Sequence, residues 1–188
     1  DPLQLAEDYG SDCFRYFLMR EMTVGKDAEF SIERFESRYR ADLGNDLGNL
    51  VSRLLHMCHS YLEGGVSEVG ALGQPEEDLA ELWLKSRDVA LEHFQKHQFS
   101  LGLESVFNFI RSINKYADLR LPWKLAKSED IDDRQMLKTC LATMVEALRL
   151  ANALLCPVMP EIHALINDRL GINDSSNWTT DLIWDHRL

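Results

Sequence analysis

Residues 31–62 read SIERFESRYRADLGNDLGNLVSRLLHMCHSYL, and this stretch decides the fold. Its apolar positions, Ile32, Phe35, Tyr39, Leu43, Leu47, Leu50, Leu54, Met57 and Tyr61, recur at intervals of three and four. That spacing returns to one side of an α-helix and never alternates as a strand does. Ser31 is a natural N-cap, and Gly64-Gly65 a natural stop. The spacing predicts one long amphipathic helix. Gly44 and Gly48 interrupt it, each at a cost of roughly 1 kcal/mol relative to Ala, which points to close approach of another backbone or to a bend.

The same period governs the rest of the chain. After Pro75 the stripe is Leu79, Leu82/Trp83, Ser86, Ala90, Phe94, with Glu76, Glu77 and Asp78 suited to the positive end of the helix. A third stripe runs Leu103, Val106, Ile110, Ile113, Ala117, and a fourth Leu137, Leu141, Met144, Leu148, Ala151, Leu155, ended by Pro157. A shorter helix runs from Glu161 to Leu170 and stops at Gly171. The segment 1–21 forms one or two short helices broken at Gly10, and Thr23 to Phe30 is a loop containing Gly25. The predicted fold is all-α, a helical bundle of about five main helices. Residues 1–30 lead into it, 31–170 form the bundle, and 171–188 are a tail packed through Trp178 and Trp184. The stretch from Gly64 to Gln74 is the clearest connector.

Composition narrows the function classes. Apolar types are 45% and charged types 27%, values of an ordinary soluble globular protein. No apolar run approaches the ~18 residues of a membrane helix. The net charge of −11 argues against coating of DNA or RNA through excess Lys and Arg, but not against recognition of an exposed single-stranded loop by a few residues. Cys13, Cys58, Cys140 and Cys156 contain no CxxC pair and read as thiols of a reducing cytosol, so a cytoplasmic protein is expected. No signal peptide is evident, and the chain opens at Asp1-Pro2 as a piece of a longer protein would.

No phosphate loop, dinucleotide fingerprint or nucleophile elbow is present. His56, Cys58 and His59 lack the further ligands of a zinc site, so neither a metal nor a catalytic constellation is expected. The polar flank of the long helix is more informative. Asn49 and Arg53, four residues apart, are neighbours beside the apolar stripe, with Asn45 and His56 continuing the strip. Asn114-Lys-Tyr116-Ala-Asp-Leu-Arg-Leu-Pro122-Trp123 is the second feature, since a Pro-Trp at a helix start fixes the backbone and presents an aromatic face. Two readings follow. These residues are polar and aromatic contacts between helices, or an indole beside an amide and a guanidinium forms a site for an unstacked base.

Five segments resemble one family. They are Tyr9 to Leu18 (YGSDCFRYFL), Gly25 to Ser31 (GKDAEFS), Asp42 to Arg53 (DLGNDLGNLVSR), Pro122 to Lys127 (PWKLAK) and Cys156 to Pro160 (CPVMP). In this order and spacing the chain resembles the anticodon-binding domain of methionyl-tRNA synthetases, class I aminoacyl-tRNA synthetases. The first segment is similar to the part following that family's KMSKS loop, the third to its first anticodon-domain helix, and the fourth to its second anticodon-contact region.

The resemblance implies that Asn49, Arg53 and Trp123 meet the cytosine of a CAU anticodon in tRNA-Met. Asn45, His56, Asn114, Tyr116 and Pro122 would support them, and the doubled Asn45/Asn49 leaves two candidates for the amide. It implies a methionine–tRNA ligase that uses ATP, with HIGH and KMSKS motifs, the methionine pocket and any zinc-bearing insertion upstream of these residues. For the residues present it implies no cofactor and no catalysis. The implied partners are the tRNA anticodon loop and the catalytic domain of the same chain, with neither DNA nor membrane. The alternatives are the equivalent domain of a leucyl, valyl, isoleucyl or cysteinyl synthetase, and a helical protein-interaction domain.

Overall fold

The computed structural model describes residues 2–27, 29–62, 65, 70–172 and 182–184. Among these residues every regular element is helical, as the periodicity requires. In chain order they are α1 (Pro2–Tyr9), α2 (Ser11–Glu21), α3 (Ile32–Arg38), a π-helical segment (Tyr39–Gly48), α4 (Asn49–Leu62), α5 (Gln74–Gln95), α6 (Phe99–Arg120), α7 (Pro122–Leu125), α8 (Ile131–Leu155) and α9 (Pro160–Leu170).

Helix α8 is the axis of the bundle. Its expected stripe, Leu137, Leu141, Met144, Leu148, Ala151 and Leu155, is buried, but so are Cys140, Thr143, Glu146 and Ala147 on its other sides. A helix sheathed all round must lie inside the layer rather than on it. Helices α4, α5, α6, α7 and α9 pack against it. Gly10, at φ 88°, breaks α1 from α2. Helix α2 then sends Tyr16 and Phe17 into the core beside Phe35 and Phe107, while the Asp12 carboxylate accepts from the Ile162 amide at 2.8 Å and so caps α9.

Helices α5 and α6 form an antiparallel pair closed by a tight turn. His97 takes the left-handed conformation at φ 58°, its amide bonds the Phe94 carbonyl, and the Gln98 amide bonds the His93 carbonyl. This is a Schellman ending with histidine where glycine is usual. Gly171, at φ 71°, ends α9 in the same way. The tail's Trp178 lies outside the described residues. Leu182 is buried, and its carbonyl accepts from the Trp83 indole at 3.2 Å and from Arg87 at 3.5 Å.

The single helix expected from Ser31 is instead three consecutive windings. Ser31 caps α3 through its hydroxyl, at 3.2 Å from the Arg34 amide. Ten residues then wind as a π-helix, and the Asn49 amide reaches the Gly44 carbonyl five residues back. Such windings are rare and usually a single turn. Of the two glycines, read from the sequence as marks of a neighbouring backbone or a bend, Gly48 answers to one of the segment's own carbonyls. A Cβ at Gly48 would stand 2.8 Å from the Leu43 carbonyl oxygen, and one at Gly44 would stand 3.7 Å from that of Tyr39. The first distance is a clash and the second an ordinary contact.

Side chains grip the π segment at both ends. Its buried Asp42 accepts from the Tyr16 hydroxyl at 2.5 Å and from Arg38 at 3.3 Å. Further along, Arg111 of α6 pairs with the Asp46 carboxylate at 3.0 Å, and the Asn114 amide donates to the Asp46 carbonyl at 3.1 Å. The winding that leads into α4 is therefore fixed from α2 and from α6.

Candidate nucleic-acid interface

Helix α4 buries Leu50, Leu54, Met57 and Cys58, which leaves Asn49 and Arg53 on the flank of that stripe. Asn49 is exposed, and its side chain makes no hydrogen bond to any described residue. Arg53, one turn on, reaches across to two other helices. Its Cζ lies 5.3 Å from the centroid of the Trp123 ring, and its Nη2 is 3.5 Å from Oδ1 of Asp118 on α6. The stacking is a cation–π contact of about 0.5–1 kcal/mol at such a surface. The ion pair is long and solvated, with Asp118 two-thirds exposed, so it orients more than it stabilises.

Trp123 arrives there by a sharp corner. Leu121 is left-handed at φ 51°, a conformation that costs a non-glycine residue roughly 1–2 kcal/mol. The following proline explains the choice, because a residue before proline is disfavoured in the right-handed helical region. Helix α6 therefore ends at Arg120, Pro122 is buried as the first residue of α7, and the half-buried indole packs one edge against the core.

The corner is anchored from α5. Glu76 sits at the positive end of its helix, as its place after Pro75 implies, and it is buried there. It accepts two hydrogen bonds from Arg120, one from the Tyr116 hydroxyl at 2.6 Å and one from the Gly73 amide at 2.8 Å. Burial pushes its carboxyl pKa up, but the donors from Arg120, Tyr116 and Gly73 outweigh that and hold it below the usual range. Burial first, then the charge of Cys140 and the bond to Glu76, raises the Tyr116 hydroxyl.

Asn49, Arg53, Pro122 and Trp123 thus gather on one side of the bundle. Asn114 stands behind them and holds Asp46, while its own Oδ1 is buried without a partner. Tyr116 faces inward to Glu76. Asn45 is exposed on the π segment, along a cleft with Glu33, Glu36 and Arg40, and His56 is exposed on α4. Among the described residues no hydrogen bond or ion pair joins either of these two to Arg53 or Trp123. Sequence reasoning missed Asp118, although it stands four residues after Asn114 and so shares its helix face. It also missed Glu76 and Arg120, whose pairing spans 44 residues and left no local pattern. No three His, Cys, Asp or Glu side chains converge as metal ligands among the described residues. No helix there is long and apolar enough to cross a membrane.

Comparisons with known proteins bear on this arrangement. The family described as tRNA synthetases class I (M) matches residues 1–55. The chain is 37% identical over 179 residues to the methionine–tRNA ligase of Caldanaerobacter subterraneus subsp. tengcongensis, covering 95% of this chain and 28% of that protein. It is 34% identical over 184 residues to that of Synechocystis sp., covering 97% of this chain and 34% of the relative. The chain therefore spans about a third of the length of the curated relatives it matches. The free-state crystal structure of Mycobacterium tuberculosis methionyl-tRNA synthetase superposes with a TM-score of 0.92 at 35% identity, over 97% of this chain and 37% of that one.

Proposed function

We propose, for a chain that belongs to the methionyl-tRNA synthetase family of class I aminoacyl-tRNA synthetases, that Asn49, Arg53 and Trp123 read the cytosine of a CAU anticodon. The observation that carries this reading is the Arg53 guanidinium over the Trp123 ring, one helical turn from the uncommitted Asn49 amide. Cytosine presents O2 and N3 as acceptors, which guanidinium donors satisfy. Its amino group donates, which the Asn49 carbonyl oxygen accepts. The indole gives the splayed base an apolar face to stack on. A wrong base leaves these groups unpaired, at about 1–3 kcal/mol for each buried one. Asn114 and Pro122 hold the elements that carry the three, through Asp46 and through the corner before Trp123.

In this reading the residues serve a longer, cytoplasmic methionine–tRNA ligase, which activates methionine with ATP and transfers it to tRNA. ATP and methionine are handled by parts of that protein outside these residues. The partners of this chain are the anticodon loop of tRNA-Met and the catalytic domain of its own polypeptide.

A CAU anticodon stem-loop should bind more tightly than a GAU stem-loop that differs in the first base alone. In the full-length ligase, Trp123→Ala should cut charging of CAU tRNA strongly and leave ATP-dependent methionine activation intact. Equal binding of both stem-loops, or equal charging by variant and parent, overturns the assignment. Preference for another anticodon would move the chain's role to a different synthetase specificity.

A further inference from the structure

We infer that the π-helical segment Tyr39–Gly48 sets the rotational phase of the Asn49/Arg53 strip against Trp123, and that Gly48 is the residue holding that winding. The inference rests on the base-reading role given above to Asn49, Arg53 and Trp123. A π winding turns less per residue than the roughly 100° of an α-helix, and over ten residues the difference accumulates to on the order of half a turn. Arg53 meets Trp123 at 5.3 Å only because the helix enters α4 at this phase. Upstream of Gly48 the segment is held at Asp42, by Tyr16 of α2 and by Arg38 one turn back, and at Asp46, by Arg111 and Asn114 of α6. Gly48 lies beyond both holds, so a change of winding there does not dissipate along α3 and turns α4 instead.

The two glycines separate winding from ordinary helix propensity. Alanine favours a helix over glycine equally at either position. A Cβ at position 48 meets the Leu43 carbonyl oxygen at 2.8 Å, a backbone atom that cannot step aside while the π winding lasts. A Cβ at position 44 meets the Tyr39 carbonyl oxygen at 3.7 Å, which any side chain tolerates. Gly48→Ala thus selects against the π winding, and Gly44→Ala is its matched control. Gly48 acts through Arg53 and touches no base itself, so it is a positioning residue.

The test is stem-loop binding by the chain carrying each substitution, with helix content checked by circular dichroism. Gly44→Ala should bind the CAU stem-loop within about twofold of the parent, as a neutral surface change does. Gly48→Ala should lose about tenfold or more, and the ratio of CAU to GAU affinity should fall with it, as misplacement of a contact by an ångström requires. Side-chain NMR gives a readout that needs no RNA. The Arg53 δ-protons, shielded by the Trp123 ring in the parent and in Gly44→Ala, should shift toward their Trp123→Ala position in Gly48→Ala. Equal CAU affinity of the two glycine variants, or an unmoved Arg53 signal in Gly48→Ala, overturns the inference. If Gly48→Ala does not fold, Asn114→Leu takes its place. It frees the Asp46 carbonyl, fills the site of a buried amide oxygen that has no partner, and should produce the same two losses, their absence overturning the inference equally. An Asn49→Ala variant that keeps full CAU preference refutes the base-reading role, while the Arg53 signal still judges the winding by itself.

Discussion

Arg53 and Trp123, from helices far apart in the chain, meet face on, with the guanidinium carbon 5.3 Å from the indole centroid and Asp118 steadying the far side. A planar guanidinium can stack and offer forked donors at once, and an ammonium can do neither. Arg53→Lys keeps the charge and removes both properties. It should cost about 1–3 kcal/mol of preference for CAU over GAU stem-loops. The slope of affinity against salt should not change, because the number of cations near the RNA is the same. Binding titrations at three salt concentrations check both parts.

Glu76→Ala removes the buried acceptor of the half-buried Arg120, the Tyr116 hydroxyl and the Gly73 amide. A buried polar group left unpaired costs about 1–3 kcal/mol, so the urea midpoint should fall. Arg120 immediately precedes the Leu121-Pro122 corner, and Trp123 fluorescence should redshift in the folded variant as the indole loses its seat.

The same carboxyl predicts a direction in acid. Its pKa is held below the ordinary value, so its contribution is complete above the unfolded-state pKa of about 4.3 and disappears as pH falls through the lower folded value. Glu21, where burial opposes but the Arg38 and Arg34 guanidiniums prevail, acts in the same sense. Urea unfolding at pH 7, 5 and 3.5 should show stability falling at the acid end, and Glu76→Gln should show a shallower fall.

Three of the four thiols are placed to be inert. Burial raises Cys13 and Cys58 to about 11 and Cys140 to about 12. A thiol in that range is almost wholly protonated at neutral pH, and the thiolate is the nucleophile. The half-buried Cys156 should therefore react first with a thiol reagent in the native protein, with the other three following only on unfolding. Timed labelling and peptide mapping measure the order.

Helices α8 and α9 share a buried polar knot. Asn152 donates to the His163 carbonyl at 3.0 Å and to Asn167 at 2.9 Å, and Asn167 faces the His163 ring at 3.1 Å. Asn152→Ala strands these acceptors and should destabilise the fold by about 1–3 kcal/mol per buried group left unpaired. Amide exchange should quicken first in α9, which packs against fewer other helices than α8 does.

How far the sequence could be read depends on the range of the force at work. The stripes of α5, α6 and α8 were legible because hydrophobic burial repeats with the helix itself. Leu79, Trp83, Leu103, Ile110, Leu141 and Leu148 all lie inside. Pro122-Trp123 was legible as a helix start because proline acts on its neighbours directly. The left-handed Leu121 was not, since nothing in leucine announces it. The π winding was not legible: Phe35, Tyr39, Leu43 and Leu47 are four apart in unbroken succession, a spacing that stays near one face of either winding, drifting about 40° at each step in an α-helix and about as much the other way in a wider one. Glu76 could not be assigned from its neighbours, because its partner Arg120 is 44 residues away and only the packed bundle brings them together.

The tight closure of α5 onto α6 at His97 also bears on the order in which the molecule assembles. Contacts between adjacent helices close small loops and form early, whereas Arg53 and Asp118 must enclose 65 residues before they touch. The α5–α6 hairpin is thus the natural starting point, and the Arg53–Trp123 pairing is finished late. Newly made chains would pass through a stage with most of their helices packed and that pair still apart.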